Sequence, residues 1–331
     1  MKIGILTFHM AHNFGAMLQA YALSTAITKM SNCTCQIIDY RLPEIYQKYE
    51  DMLKEEKVAI KRLKFEEFMK NKLPLSSRVI DLRMAENYDL YILGSDQIWN
   101  PNITGGYKDE YFGKLFPLSV SYGASTGVDI GNWDYLAQKL DKISKIGVRE
   151  TWCAENLSNY IDKEITYCLD PVFLIEKADW NKLRSAINHD KYILIYSFDV
   201  LEKEYQEIEG RAKEKNWKIV EIVTHERKRR NGIIYDLECG PQQFLNYAYE
   251  AEFIYTDSYH GVLFSIIFEK KFIYFSRGEK NSARVCDILK QLKLHKNKEG
   301  YYVMNSQNKN ILRKYKQASL DFLRKAILEV R

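Results

Sequence analysis

The chain has 331 residues, 46% hydrophobic and 28% charged, a size that one core seldom fills and that predicts two domains. Its 49 Lys and Arg against 44 Asp and Glu leave a formal net charge of +5, too small and too dispersed to argue for nucleic acid. No apolar run approaches the roughly 20 residues of a membrane span, and Met1 to Leu6 is too short for a signal peptide, so a cytoplasmic protein is expected.

Lys2 to Phe8 reads as a strand, and Ala16 to Leu23 opens a helix with apolar residues at helical spacing. Cys35 to Asp39 is a second strand. The Lys-, Glu- and aromatic-rich stretch 44–72 reads as helices with one solvated face. Further strands follow at Tyr88 to Leu93, Ser119 to Gly123, Lys145 to Arg149 and Thr166 to Leu169, the last ending in the turn signal Asp170-Pro171. The second half begins with the strand Tyr192 to Tyr196. It continues through a helix at 201–215, the strand Lys218 to Val223, a helix at 241–250 and the strand Phe253 to Thr256. A helix at 260–269, the strand Phe272 to Phe275 and helical patterns to the end complete it. Strands alternating with helices predict an α/β protein with parallel sheets. The expected domains are 1–168 and 169–331.

In open parallel sheets ligands bind beyond the carboxyl ends of the strands, so the polar clusters there are the candidate sites. After the first strand, Asn13 and Gly15 stand at a Gly-containing turn entering a helix, whose free N–H groups suit an anion or take Asn13 as a cap. After the strand at 88–93 comes Gly94-Ser95-Asp96-Gln97-Ile98-Trp99. Gly94 permits a sharp turn, Ser95 and Asp96 cap or accept hydrogen bonds, and Trp99 is either a stacking face for a sugar ring or a packing residue. Arg149 ends the strand at 145–149, placed to clamp a phosphate or carboxylate or to pair with Glu150. Asp257, Ser258, His260 and Gly261 follow the strand at 253–256, with His260 at a helix N-terminus, where a bound anion would make it a proton donor.

The six cysteines are scattered apart from Cys33 and Cys35, which find no second pair, so free buried thiols are expected and no metal. His9 and His12 lie close together without a carboxylate at useful spacing.

The ordered set "HNFGAMLQAYAL", "YDLYILGSDQIWNP", "IGVRE", "LDPVFLI", "GPQQFLNYAYEAEFIYTDSYHGVLFSIIFEKKFI" and "NSARVCDIL" spans nearly the whole chain. It resembles the polysaccharide pyruvyl transferase family. The resemblance implies two Rossmann-like domains facing across a cleft, similar to the glycosyltransferase-B architecture, with the acceptor on the first and the donor on the second. It implies phosphoenolpyruvate as donor substrate, no further cofactor, and a saccharide hydroxyl pair closed into a pyruvate ketal for cell-surface polysaccharide. On matching motifs, Arg149 and His260 hold the donor; the chemistry of ketal formation then makes Arg149 the anion clamp and His260 the general acid or phosphate partner. Asp96 becomes the base or acceptor-hydroxyl ligand, and Gln97 and Trp99 face the sugar. Ser258 stands where a second arginine is expected, leaving Arg284 or Arg277 to supply that charge.

The saccharide's carrier, lipid or nucleotide, is left open; a slightly basic chain rich in tyrosine fits peripheral contact with lipid-linked sugars. Two alternatives share the architecture: a nucleotide-sugar glycosyltransferase, with Glu252 and Asp257 on the ribose, and a non-catalytic saccharide-binding relative.

Overall fold

The computed structural model describes residues 1–30, 33–52, 59–185, 190–223 and 228–329. These residues fall into two compact units. Unit 1 takes the described residues of Met1–Met52, Met69–Ile175 and Ile311–Arg331, and unit 2 those of Leu53–Phe68 and Glu176–Asn310.

Unit 1 is built on six strands: β1 (Lys2–Leu6), β2 (Thr34–Ile37), β3 (Leu90–Leu93), β4 (Ser119–Ala124), β5 (Ile143–Val148) and β6 (Ile165–Tyr167). They pair in the order β2-β1-β3-β4-β5-β6, every neighbour parallel. The central strand β3 is an uninterrupted apolar run with all four residues buried, because both faces of a parallel sheet are covered. Its register sets Leu6 beside Leu93, so the carboxyl ends of β1 and β3 are level.

Unit 2 has five: β7 (Tyr192–Tyr196), β8 (Lys218–Ile222), β9 (Ile233–Asp236), β10 (Phe253–Thr256) and β11 (Lys271–Tyr274). Their order is β11-β10-β7-β8-β9, again wholly parallel. β9 is not legible in the sequence: it is a short edge strand whose only buried residue is Ile233, so it carries no apolar run.

Each sheet reverses its winding once. In unit 1 the chain runs to β2 on one side of β1 and to β3 on the other; in unit 2, β8 lies on one side of β7 and β10 on the other. The crevices at the carboxyl ends of β1/β3 and β7/β10 are therefore the topological switch points where such sheets bind ligands.

The expected cut between residues 168 and 169 falls just beyond β6, whereas the units change over after Ile175, and the last helix, Ser306–Leu328, begins in unit 2 and ends in unit 1. Tertiary contacts decide this. The Leu169 N–H donates to Ser319 Oγ at 3.0 Å, Lys316 Nζ to the Ile175 carbonyl at 3.2 Å, and Phe322 packs on Tyr122. Residues 59–68 join unit 2 in the same way: Lys61 and Lys64 donate to the carbonyls of Val223 and Glu238, and Phe65 and Phe68 are fully buried. Helical periodicity shows that a face is apolar, not which core receives it.

Candidate active site

At the unit 1 switch point the chain leaves β3 through a tight turn that requires a glycine at position 94. Gly94 has φ +112°, and a Cβ there would lie 2.6 Å from the Tyr122 carbonyl, so no other residue fits. The Gly94–Ser95 peptide is cis, and Asp96 takes φ +78°, a left-handed conformation that a short polar side chain tolerates. Ser95 is wholly buried, its Oγ donating to the Gly123 carbonyl at 3.1 Å and its own carbonyl accepting from Thr7 Oγ1 at 2.8 Å. Gln19, buried in the first helix, donates in turn to Thr7 Oγ1 at 3.0 Å. The Asp96 carbonyl accepts from Ser125 N at 3.1 Å. The turn is thus pinned to β1 and β4, and only the Asp96 and Gln97 side chains reach its surface.

Trp99 does not face a sugar. It is 0% exposed, stacks on Phe112 and donates its indole N–H to the Tyr111 carbonyl at 2.9 Å, so both its ring and its polar edge are used inside the core. Gln97 is fixed as well, its Oε1 accepting from Asn100 Nδ2 at 2.9 Å. Asn13 caps the helix Phe14–Met30 by accepting from Ala16 N at 3.2 Å, and Gly15 is buried in that helix's first turn.

Arg149 does not present an open fork to an anion. Its side chain is 0% exposed and lies among three carboxylates: Nη1 donates to Asp170 Oδ2 at 2.9 Å, Nε to Glu150 Oε1 at 3.2 Å, and Nη2 is 3.6 Å from Asp96 Oδ1. Ser125 Oγ donates to Glu150 Oε1 at 2.8 Å. One guanidinium amid three carboxylates makes an acidic centre, which repels a phosphate and favours a hydroxyl donor.

A second cluster escaped the sequence reading. His9, wholly buried, has Nε2 3.0 Å from Asp39 Oδ1 and Nδ1 3.1 Å from the Thr7 carbonyl. Both partners, a carboxylate and a carbonyl, are acceptors. Arg41 closes on Asp39 through Nε at 2.9 Å and Nη2 at 3.1 Å. The missing carboxylate comes from the end of β2, which pairs with β1 in space, so no local spacing announces it. Burial works to raise the Asp39 pKa, but the hydrogen bonds and charges of His9 and Arg41 prevail and hold it well below the carboxylate range.

In unit 2 the sequence-predicted residues come together at the β7/β10 switch point. Ser258 is the N-cap of the helix Tyr259–Ile267, its Oγ accepting from Gly261 N at 3.4 Å. Gly261 is required because a Cβ would lie 2.2 Å from Thr256 Oγ1. His260 occupies the first turn, 7% exposed, with its ring edge-on to Tyr259. Arg284 stands over the Tyr259 ring at 5.1 Å, placing a cation beside that turn. Asp257 is a brace: it accepts from Phe198 N at 2.8 Å and Asp199 N at 3.1 Å, and Arg277 Nε donates to it at 3.3 Å. Arg277 is committed to Glu204 through two further bonds of 2.7 and 2.8 Å.

Two parallel, Rossmann-like sheets with polar turns at their switch points define the class: a two-domain α/β protein of the glycosyltransferase-B kind. Similar folds include the UDP-GlcNAc 2-epimerase of Methanocaldococcus jannaschii, solved with UDP-GlcNAc and UDP (TM-score 0.52, 15% identity, 97% of this chain and 93% of that one). Others are the Neisseria meningitidis UDP-GlcNAc 2-epimerase (0.51, 10%, 100% and 94%) and a putative UDP-N-acetylglucosamine 2-epimerase from Listeria monocytogenes (0.53, 8%, 98% and 89%). At these identities the likeness is one of fold alone. No curated protein matches the sequence significantly. The model of the polysaccharide pyruvyl transferase family matches residues 13–279, and the chain belongs to that family. It is accordingly a transferase acting on a saccharide acceptor, and no helix among its described residues is long and apolar enough to cross a membrane.

Three outcomes follow for stability. Trp99→Ala opens a cavity and costs about 3–5 kcal/mol, measured by urea unfolding; a variant as stable as wild type, altered only in acceptor KM, would restore the sugar-facing role. Arg149→Gln strands three facing carboxylates and costs about 3–5 kcal/mol by the same measurement, where loss of a free anion clamp would leave stability unchanged. Because the folded-state pKa of Asp39 is depressed, its stabilisation is complete above the ordinary carboxylate value of about 4 and fades as pH falls below it. The gap in melting temperature between wild type and Asp39→Asn is therefore widest near neutrality and narrows from pH 5 to pH 2; a constant gap refutes the assignment.

Proposed function

We propose that the enzyme transfers the pyruvyl group of phosphoenolpyruvate onto two hydroxyls of a saccharide, closing a pyruvate ketal. The observation that carries this reading is the β7/β10 turn, where a capped helix N-terminus, His260 and Arg284 converge at a switch point in a member of this family. A helix N-terminus and a guanidinium suit the phosphate and carboxylate of the donor. His260 delivers a proton to the donor's methylene carbon, and one sugar hydroxyl adds to the adjacent carbon. Phosphate leaves with the electrons of its C–O bond, and the second hydroxyl adds at the same carbon. Asp96, part-exposed beside the buried acidic centre, takes the proton of the first hydroxyl, and the departing phosphate carries away that of the second. Arg149 is a positioning residue, orienting Asp96 instead of holding the donor. Because phosphoenolpyruvate is made in the cytoplasm, the reaction is assigned there, and the described cysteines, all free thiols, fit that compartment.

Thermal unfolding with phosphoenolpyruvate and, separately, with UDP-sugars tests this. At about 100 times its Kd the true donor adds about 2.7 kcal/mol of stability. Phosphoenolpyruvate is expected to stabilise the wild type and Asp96→Ala alike, and not His260→Ala or Arg284→Gln. Asp96→Ala is expected to lose about 10²- to 10⁴-fold in turnover. Stabilisation by a UDP-sugar alone would replace this reading with nucleotide-sugar transfer.

A further inference from the structure

The opposite end of the unit 2 sheet carries charges that this chemistry leaves unused. Three cations gather about the Tyr249 ring: the Arg184 guanidinium carbon lies 3.5 Å from its centroid, Lys270 Nζ 5.5 Å and Lys177 Nζ 5.6 Å. Tyr249 is near the end of the helix Pro241–Glu250 that leads into β10, and Lys270 directly precedes β11. The cluster therefore lies at the amino ends of those strands, away from His260.

Among the described residues a single carboxylate pairs with these cations. Glu250 Oε1 accepts from Arg184 Nη1 at 2.7 Å, and Asn246 Oδ1 accepts from the same nitrogen at 3.1 Å. Glu252, which also acts on Lys270, is committed to Lys191 at 3.6 Å. Among the described residues neither Lys177 nor Lys270 has a carboxylate within ion-pair distance, and Arg184 Nε is buried without an acceptor. Three cations against Glu250 leave an excess of two positive charges. Burial, with the charges of Lys177 and Arg184, lowers the Lys270 pKa against the pull of Glu250 and Glu252.

Like charges on a surface normally spread apart, and a half-buried ammonium beside two more cations raises the energy of the folded state. Such conflicts with local physics concentrate where a ligand supplies the missing charge. We propose that the Tyr249 cluster binds the phosphate group of a small molecule, a dianion that matches the excess. Arg184 Nε–H supplies a directed donor, and the two lysines supply point charges.

Calorimetric titration with inorganic phosphate at constant ionic strength tests the site on wild type, Lys177→Gln, Lys270→Gln and His260→Ala, each first checked for wild-type thermal unfolding. Phosphate is expected to bind at least tenfold more weakly to both lysine variants and with undiminished affinity at this site in His260→Ala. The proposal is overturned by lysine variants that keep full binding, by binding lost only in His260→Ala, or by a wild type that binds phosphatidic acid vesicles and no free phosphate. Because the donor site is lost in His260→Ala and this one is not, failure of either assignment is read separately.

Discussion

A single buried guanidinium ties four strand ends of unit 1 together. Arg149, leaving β5, reaches Asp170 beyond β6 and Asp96 beyond β3, and through Glu150 it meets Ser125 beyond β4. Each ion in such a group is costly to bury alone and bearable only with its partners in place. The arrangement therefore fixes where Asp96 can stand, and it makes that corner of the protein acidic. An arginine that the sequence offers as an anion clamp is, in this setting, held among carboxylates.

The same economy of placement runs through both sheets. Parallel strands have level carboxyl ends, and where the winding reverses no crossover covers the crevice, so turns there are free to carry polar groups. In unit 1 the turn is made rigid from below: Gln19 holds Thr7, Thr7 holds the Ser95 carbonyl, and Trp99 plugs the core beneath. In unit 2 the rigidity comes from the side, through Asp257 and Arg277, which fasten the loop after β7 to the start of the helix bearing His260. Packing neighbours and charged braces thus take up most of the conspicuous residues of both turns and leave a few exposed.

That division of labour bears on the substitution of Ser258 for an expected arginine. Ser258 closes the helix N-terminus as a cap, a role arginine cannot fill. The cation arrives from the next helix as Arg284, over the ring of Tyr259. The positive field at the turn is thereby shared between a helix end and a side chain from another element.

Strand and helix alternation, the parallel class and the candidate turns could all be read from the chain, because apolar runs, Gly-bearing turns and strand-to-helix spacing are local properties. The ordered motifs carried the family for the same reason. Partners were not legible. Asp39 for His9, Asp170 for Arg149, Glu204 for Arg277 and Tyr111 for Trp99 all lie on other elements, and β9 was invisible because an edge strand needs little apolar sequence. The sequence by itself determined which residues stand at the strand ends; the tertiary structure decided which of them are buried as supports and which stay partly exposed, because burial and charge pairing depend on neighbours distant along the chain.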